Sequence, residues 1–427
     1  MQVVASVCHV VIADVVCVPV RGGFFFDDQA AIRAGAARDG FGYAGPARTP
    51  GFTRVRQPAT ALSVLLVLDD GSVAVGDCAA VQYAGAAGRD PVFDPVAAAG
   101  VVEEVVAPMV RGAACDRFVP LAEAVEGCRV RGAPLHSAIR YGVSQAILGA
   151  VAAARRVTMA EVLRDEYRTG VELRPVALFA QCGDDRYDNV DKMILHGAGA
   201  LPHGLVNSVA GKVGDRGELL LDYVRWVRRR VDDLGGAGYR PVLHFDTYGT
   251  VGAAFAGDLD AVAGYLARLG EVAAPLALRI EHPVDAGSRD GQIEALAGLV
   301  ARLEQRGSPV QVVADEWCNT LDDVRAFVAA RAGHVVHVKM PDLGGLTNTV
   351  KALLAVRRAG LFAYCGGSAT ETDRSAQVSA HVAMACGADQ LLAKPGMGVD
   401  EGMMIVGNEM ARVAALAARR LPPDPAT

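Results

Sequence analysis

The sequence predicts an α/β chain: a (β/α)8 barrel of the TIM type preceded by an N-terminal α+β capping domain. Three observations carry that expectation. Strand-like segments end in a polar residue at a near-constant interval: Pro241–Asp246, Leu276–Glu281, Val310–Asp315 and His334–Lys339. The acids lie 35 and 34 residues apart and Lys339 follows Asp315 by 24, where a βα unit needs roughly 30 residues. Beyond residue 175, eight strand-like segments alternate with helical ones over about 220 residues, close to the size of such a barrel. The residues before 160 follow a different order, strands first and helices after, as an α+β unit does.

In order, Val11–Val20 and Ala61–Asp69 read as strands. An Asp70–Gly71 turn and a strand at Val73–Gly76 complete a hairpin. Past Pro95, Ala-rich helical segments cover 96–112, 119–130 and 136–155. Gly-bearing loops are expected at Arg21–Gly23, Gly40–Pro50 and Gly85–Pro91; loops this long and mixed in composition tend to cover something. The barrel rhythm then opens with strands at Val176–Gln181 and Leu205–Ala210 and a helix at Asp215–Asp233. Helices at 257–270, 288–306 and 320–332 separate the acid-ended strands. A helix at 347–359, a strand at Leu361–Cys365, a helix at 372–386 and a strand at Gln390–Lys394 close the set. The expected division is 1–160 for the cap and 161–399 for the barrel. A final helix and Pro-rich tail, 400–427, would pack back on the cap. An open doubly wound sheet is the competing fold. It usually begins with a Gly-rich phosphate loop, and none follows the first strand here.

Composition narrows the function classes. A chain of 427 residues is too long for one ordinary core. A formal net charge of −6 implies no basic face, which argues against a nucleic-acid partner. Nine cysteines lie far apart with no C-x-x-C pair, which argues for a reducing compartment rather than a zinc cluster or disulfide framework. Residues 1–20 are apolar but lack a basic leader and are broken by His9 and Asp14, as a strand would be rather than a signal peptide. No stretch approaches the ~18 charge-free apolar residues of a membrane helix. A soluble cytoplasmic protein with no membrane partner is expected.

The strand ends carry the chemistry. Side chains at the C-terminal ends of barrel strands converge on one face. Asp246, Glu281 and Asp315 would repel one another there unless a cation sat between them, and an oxygen-only set favours Mg²⁺. Each acid taken singly is equally well a cap or half of an ion pair; three in register on consecutive strands are not. A cation or desolvation near Lys339 would lower its pKa and free an amine to act as base. Gln181 ends the first strand and can donate to a substrate carboxylate. His203 lies at or just before the second strand, across from Lys339, as a second acid/base. The run Tyr364–Cys365–Gly366–Gly367–Ser368–Ala369–Thr370–Glu371–Thr372 offers backbone N–H groups and hydroxyls to an anion. It lacks the G-x-x-x-x-G-K-[ST] order of a nucleotide site.

The acid–acid–acid–lysine arrangement resembles the enolase superfamily, in which a Lys or His base works beside one or two Mg²⁺ ions. Longer strings are similar to methylaspartate ammonia-lyase: Gln181–Lys192, His244–Thr250, Ala314–Thr320, Lys339–Gly345, Pro395–Gly402, and Gly76–Tyr83 in the first domain. The resemblance implies elimination of ammonia from threo-3-methylaspartate to give mesaconate. It implies Mg²⁺ on Asp246, Glu281 and Asp315, Lys339 as the base at C3, and His203 as the opposite-face base or proton donor. Gln82, Gln181, His337, Cys365, Ser368, Ala369 and Leu392 would line the substrate, a small amino-diacid. It further implies a homodimer and activation by K⁺.

The chain departs from the family pattern beside the base, where His337 replaces an expected Gln, and after the Gly–Gly pair, where Ser368–Ala369 replaces Thr–Cys. An imidazole holds a carboxylate only when protonated or through a single N–H. Other readings stay open: a lyase for a different 3-substituted aspartate, another enolase-type reaction such as dehydration or racemisation, or a non-catalytic metal-binding barrel.

Overall fold

A computed structural model describes residues 9–419. Its N-terminal part is a three-stranded antiparallel sheet in the order β1 (Ile12–Asp27), β2 (Arg56–Leu68), β3 (Val73–Cys78). Along β2, Val64, Leu66 and Leu68 are buried while Ser63, Leu65 and Val67 are only half-buried. Alternation of that kind marks a strand with one covered face. The cover is helix α1 (Ser137–Ala154), which packs on β2 and β3. Its approach depends on two glycines: a Cβ at Gly76 would stand 2.1 Å from the Gly142 carbonyl oxygen.

Arg21–Gly23 is not the loop expected but part of β1, at a register shift between Arg21 and Phe25. There the Gly23 N–H donates to the Glu371 carbonyl at 2.8 Å. A Cβ on Gly22 would lie 2.2 Å from the Thr370 oxygen. The glycine pair thus lets a strand of the first sheet touch the barrel rim backbone to backbone, a close-approach role that composition alone makes indistinguishable from a turn.

The barrel is closed and parallel. Its strands are β4 (Leu178–Ala180), β5 (Ala200–His203), β6 (Val242–Asp246), β7 (Leu278–Glu281), β8 (Gln311–Ala314), β9 (Val335–Lys339), β10 (Phe362–Gly366) and β11 (Gln390–Ala393), each paired with its sequence neighbour, and β11 closing on β4. Amphipathic helices wrap it, among them α2 (Glu218–Leu234), which buries Leu220, Val224, Val227 and Val231 at helical spacing. The expected strand at Leu205–Ala210 is displaced: the second strand is Ala200–His203, five residues earlier. Pro202, within it, argues against a central strand on sequence grounds, yet it pairs in register with His244. The closing helix α3 (Asp400–Ala418), expected to pack back on the N-terminal cap, makes its main contacts with the barrel. It packs against the helix Asp373–Cys386, β11 and β4, because its buried face of Val406, Met410 and Val413 joins the barrel's outer layer.

Candidate active site

Parallel register brings the polar strand ends to one rim. Asp246 pairs with Glu281 across β6 and β7, Asp315 directly follows β8, and Lys339 pairs with Gly366 across β9 and β10. Several non-glycine residues at that same rim have positive φ, among them His203 (69°), Tyr248 (49°), His282 (47°) and Trp317 (69°). Each such residue costs about 1–3 kcal/mol, and they cluster where a site needs side chains aimed abnormally. Here the consecutive strands β5 to β8 each hand over to one.

A cavity opens on this rim, and the sequence-predicted Gln82, Gln181, His203, Asp246, Glu281, Asp315, His337, Lys339, Ser368 and Ala369 all line it. Lys339 Nζ donates to Asp315 Oδ1 at 2.8 Å and stands 3.7 Å from Glu316 Oε1. His203 Nε2 lies 3.4 Å from Asp246 Oδ2 and 3.4 Å from the Tyr248 hydroxyl. His337 Nδ1 lies 2.6 Å from Glu281 Oε1 and 3.2 Å from Asp315 Oδ1. The other Glu281 oxygen, Oε2, meets His244 Nε2 at 2.9 Å. Gln82 donates its amide to Asp27 at 2.8 Å, and Asp27 is held in a two-pronged pair by Arg56. That leaves the Gln82 carbonyl oxygen for the cavity. Within the described residues the buried Gln181 Oε1 and His337 Nε2 find no hydrogen-bond partner, a shortfall that a ligand can make good.

These contacts set the protonation states. Burial would raise the Glu281 carboxyl, but His337 and His244 hold it at about 2. Burial likewise works against Asp315, yet Lys339 and His337 keep it well below the usual carboxylate range. Asp246 goes the other way, raised by burial and by the charge of Glu281. Burial disfavours the His203 and His337 cations, but Asp246 lifts the first to about 10 and Asp315 with Glu281 the second to about 9. Lys339 is pulled in both directions. Burial pulls it down, but Asp315 and Glu316 together raise it above the ordinary lysine value. The carboxylates beside Lys339 therefore hold it as an ammonium until a cation offsets them.

One oxygen of Glu281, one of Asp315 and a ring nitrogen of His337 fall within 4.8 Å of one another, close enough for a single metal ion. Three carboxylates crowded at one buried rim, Asp246 among them, fit a divalent cation between them.

With this geometry in view, profiles of the methylaspartate ammonia-lyases match the chain nearly throughout, the N-terminal family over residues 10–168 and the C-terminal family over 170–419. The chain belongs to the methylaspartate ammonia-lyase family. The crystal structure of β-methylaspartase from Clostridium tetanomorphum, a Mg complex, is 54% identical to it, with a TM-score of 0.93 over 96% of this chain and 100% of that one. The methylaspartate ammonia-lyase of Citrobacter amalonaticus containing (2S,3S)-3-methylaspartic acid is 46% identical, with a TM-score of 0.94 over 96% and 100%. Muconate lactonizing enzyme from Pseudomonas putida, 17% identical with a TM-score of 0.58 over 88% and 84%, shares the fold alone. The chain is thus an enzyme, a carbon–nitrogen lyase, on a closed parallel barrel.

In this ammonia-lyase two expected lining residues lie elsewhere. Cys365 is fully buried on the outward-facing parity of β10, its Sγ 3.6 Å from Met340 Sδ. The inward position is Tyr364, which stacks on His337 at 4.0 Å. Leu392 is enclosed by Phe179, Val313 and Tyr364 inside the barrel rather than lining the cavity. The 364–372 run also uses its polar groups differently from the anion cradle expected: the Ser368 N–H donates to Glu371 Oε1 at 2.9 Å, and Ser368 Oγ accepts from Gln82 N at 3.2 Å.

Sequence reading missed the supports. Arg89, from the Gly85–Pro91 loop, is buried and donates to Glu316 at 2.6 Å and Asp342 at 2.9 Å. Glu371 is fully buried, bound by Lys394 at 2.7 Å and by the Tyr141 hydroxyl at 2.7 Å. A long pairing between 141 and 371 leaves no local signal. Tyr141→Phe strands a buried carboxylate oxygen and is expected to lower stability by about 1–3 kcal/mol, as a reduced denaturant midpoint with unchanged slope.

Proposed function

We propose that the enzyme eliminates ammonia from threo-3-methylaspartate to give mesaconate, reversibly, with Lys339 removing the C3 proton. What supports the reading above all is that Lys339 and His203 open onto one cavity with Asp246, Glu281 and Asp315 also in its wall. The solved relatives named with Mg and with (2S,3S)-3-methylaspartic acid point the same way.

A proton adjacent to a carboxylate is very weakly acidic, and its removal leaves a dianion. Mg²⁺, held by Asp246, Glu281 and Asp315, would supply the charge that offsets that dianion and the acids around Lys339. Lys339 must act as the neutral amine, and its tether to Asp315 fixes Nζ at the rim. His203, beside Asp246, would give a proton on the opposite face as the imidazolium, or take one there once neutral. Gln181 and Gln82, from separate parts of the chain, orient the amino-diacid, and the half-buried Tyr83 lines the cavity beside Gln82. Activation by K⁺ and a homodimer, which the family resemblance implies, belong to the same proposal.

The assay is the absorbance of a conjugated diacid, with free ammonia measured in parallel, on adding threo-3-methylaspartate and Mg²⁺. No signal over a panel of 3-substituted aspartates would overturn the reading; solvent-deuterium exchange without ammonia release would replace it with a racemase-type reaction. His203→Asn is expected to depress turnover of one C3 epimer by about 10²-fold or more while sparing the other, read by following both epimers separately.

A further inference from the structure

Resting on the metal site proposed above, we infer that His337 is a nitrogen ligand to the bound cation, so that this chain's site selects first-row transition dications over Mg²⁺ more strongly than an all-oxygen site would. The argument is geometric. His337 is 5% exposed, and its Nδ1 is wedged 2.6 Å from Glu281 Oε1 and 3.2 Å from Asp315 Oδ1. As it stands, Nδ1–H donates to Glu281 Oε1 in that gap; a cation that displaced the proton would meet the Nδ1 lone pair and both carboxylate oxygens at once. The three atoms fall within the 4.8 Å span of a single coordination sphere, where ligands about 2.1 Å from an ion lie about 3 Å from each other.

The local fold holds the ring in that pose. It stacks on Tyr364 at 4.0 Å, and the flank is Gly366, where a Cβ would stand 1.8 Å from Nε2. Nε2 has no hydrogen-bond partner among the described residues, so it is the nitrogen free to carry the proton while Nδ1 binds the ion. An amide at this position offers at best a weak carbonyl donor. Imidazole raises affinity along the first row toward Co²⁺, Ni²⁺ and Zn²⁺, whereas Mg²⁺ prefers oxygen and keeps its waters.

The test needs no substrate. Mn²⁺ is added to the metal-stripped full chain and nitrogen hyperfine coupling is measured by pulsed electron paramagnetic resonance, beside His337→Gln. Coupling in the unmutated protein that vanishes in the variant is the expected result. In parallel, competition between Co²⁺ and Mg²⁺ is expected to shift by about tenfold or more toward Mg²⁺ in His337→Gln. Mn²⁺ bound with oxygen ligands alone, or an unshifted competition, overturns the nitrogen-ligand assignment and leaves the lyase reading standing. Failure of Mn²⁺ to bind at all removes the metal site itself, and with it both readings. Because the spectrum is taken on the unmutated protein, a misfolded variant does not decide the outcome.

Discussion

Lys339→Ala is expected to lower ammonia release by about 10²–10⁴-fold, the range a positioned general base contributes. The effect belongs in kcat, because the ammonium of Lys339 is already engaged by Asp315 at 2.8 Å and is not required to hold the substrate. Lys339→Arg keeps the positive charge but cannot yield a neutral amine at accessible pH, so it is expected to be equally inactive while retaining fold and metal. If Lys339→Arg kept substantial activity, the lysine would be an electrostatic partner and the base would lie elsewhere. Proton exchange at C3, followed by mass spectrometry in heavy water, reports the same step without waiting for ammonia to leave.

Arg89→Ala is expected to destabilise the protein by about 3–5 kcal/mol, because it strips the counter-charge from two buried carboxylates at once. The guanidinium is 4% exposed and its partners Glu316 and Asp342 are 15% and 5% exposed. Chemical denaturation measures the loss. Adding Asp342→Asn to the Arg89→Ala background is expected to recover part of it, since the asparagine removes one of the stranded charges. No recovery would mean that Arg89 acts through packing. Turnover is expected to fall as well: Glu316, released from Arg89, is already 3.7 Å from Lys339 Nζ and would draw the base off Asp315.

The barrel could be read from the chain because its defining signals are local and periodic. Each strand end carries its own acid or lysine, and each helix its own apolar stripe. Parity along a strand was harder. Cys365 was expected in the pocket, but Tyr364 holds the inward position on β10, and one residue's slip exchanges a strand's faces. The Leu205–Ala210 expectation failed because Val and Leu dominated over the turn that actually follows His203, while the true strand contains a proline. Lys339 shows a different limit: its neighbours Glu316 and Asp342 sit in the quoted strings, but the balance between burial and Coulomb attraction depends on distances that a sequence does not contain. Arg89 and Tyr141 are more than two hundred residues from their partners, so nothing in their own surroundings announces the contact.

Glu371 also constrains motion. Its carbonyl oxygen takes the Gly23 N–H of β1. Its carboxylate binds Lys394 after β11, Tyr141 on α1 and the N–H of Ser368. Three separate parts of the chain therefore converge on one buried residue, and the Ser368 turn is tied to that junction through its own N–H. The cavity wall on that side behaves as a fixed abutment. Gln82, whose backbone N–H rests on Ser368 Oγ, belongs to that fixed wall, while Tyr83 and Met397 join it to the larger cavity of about 410 Å³.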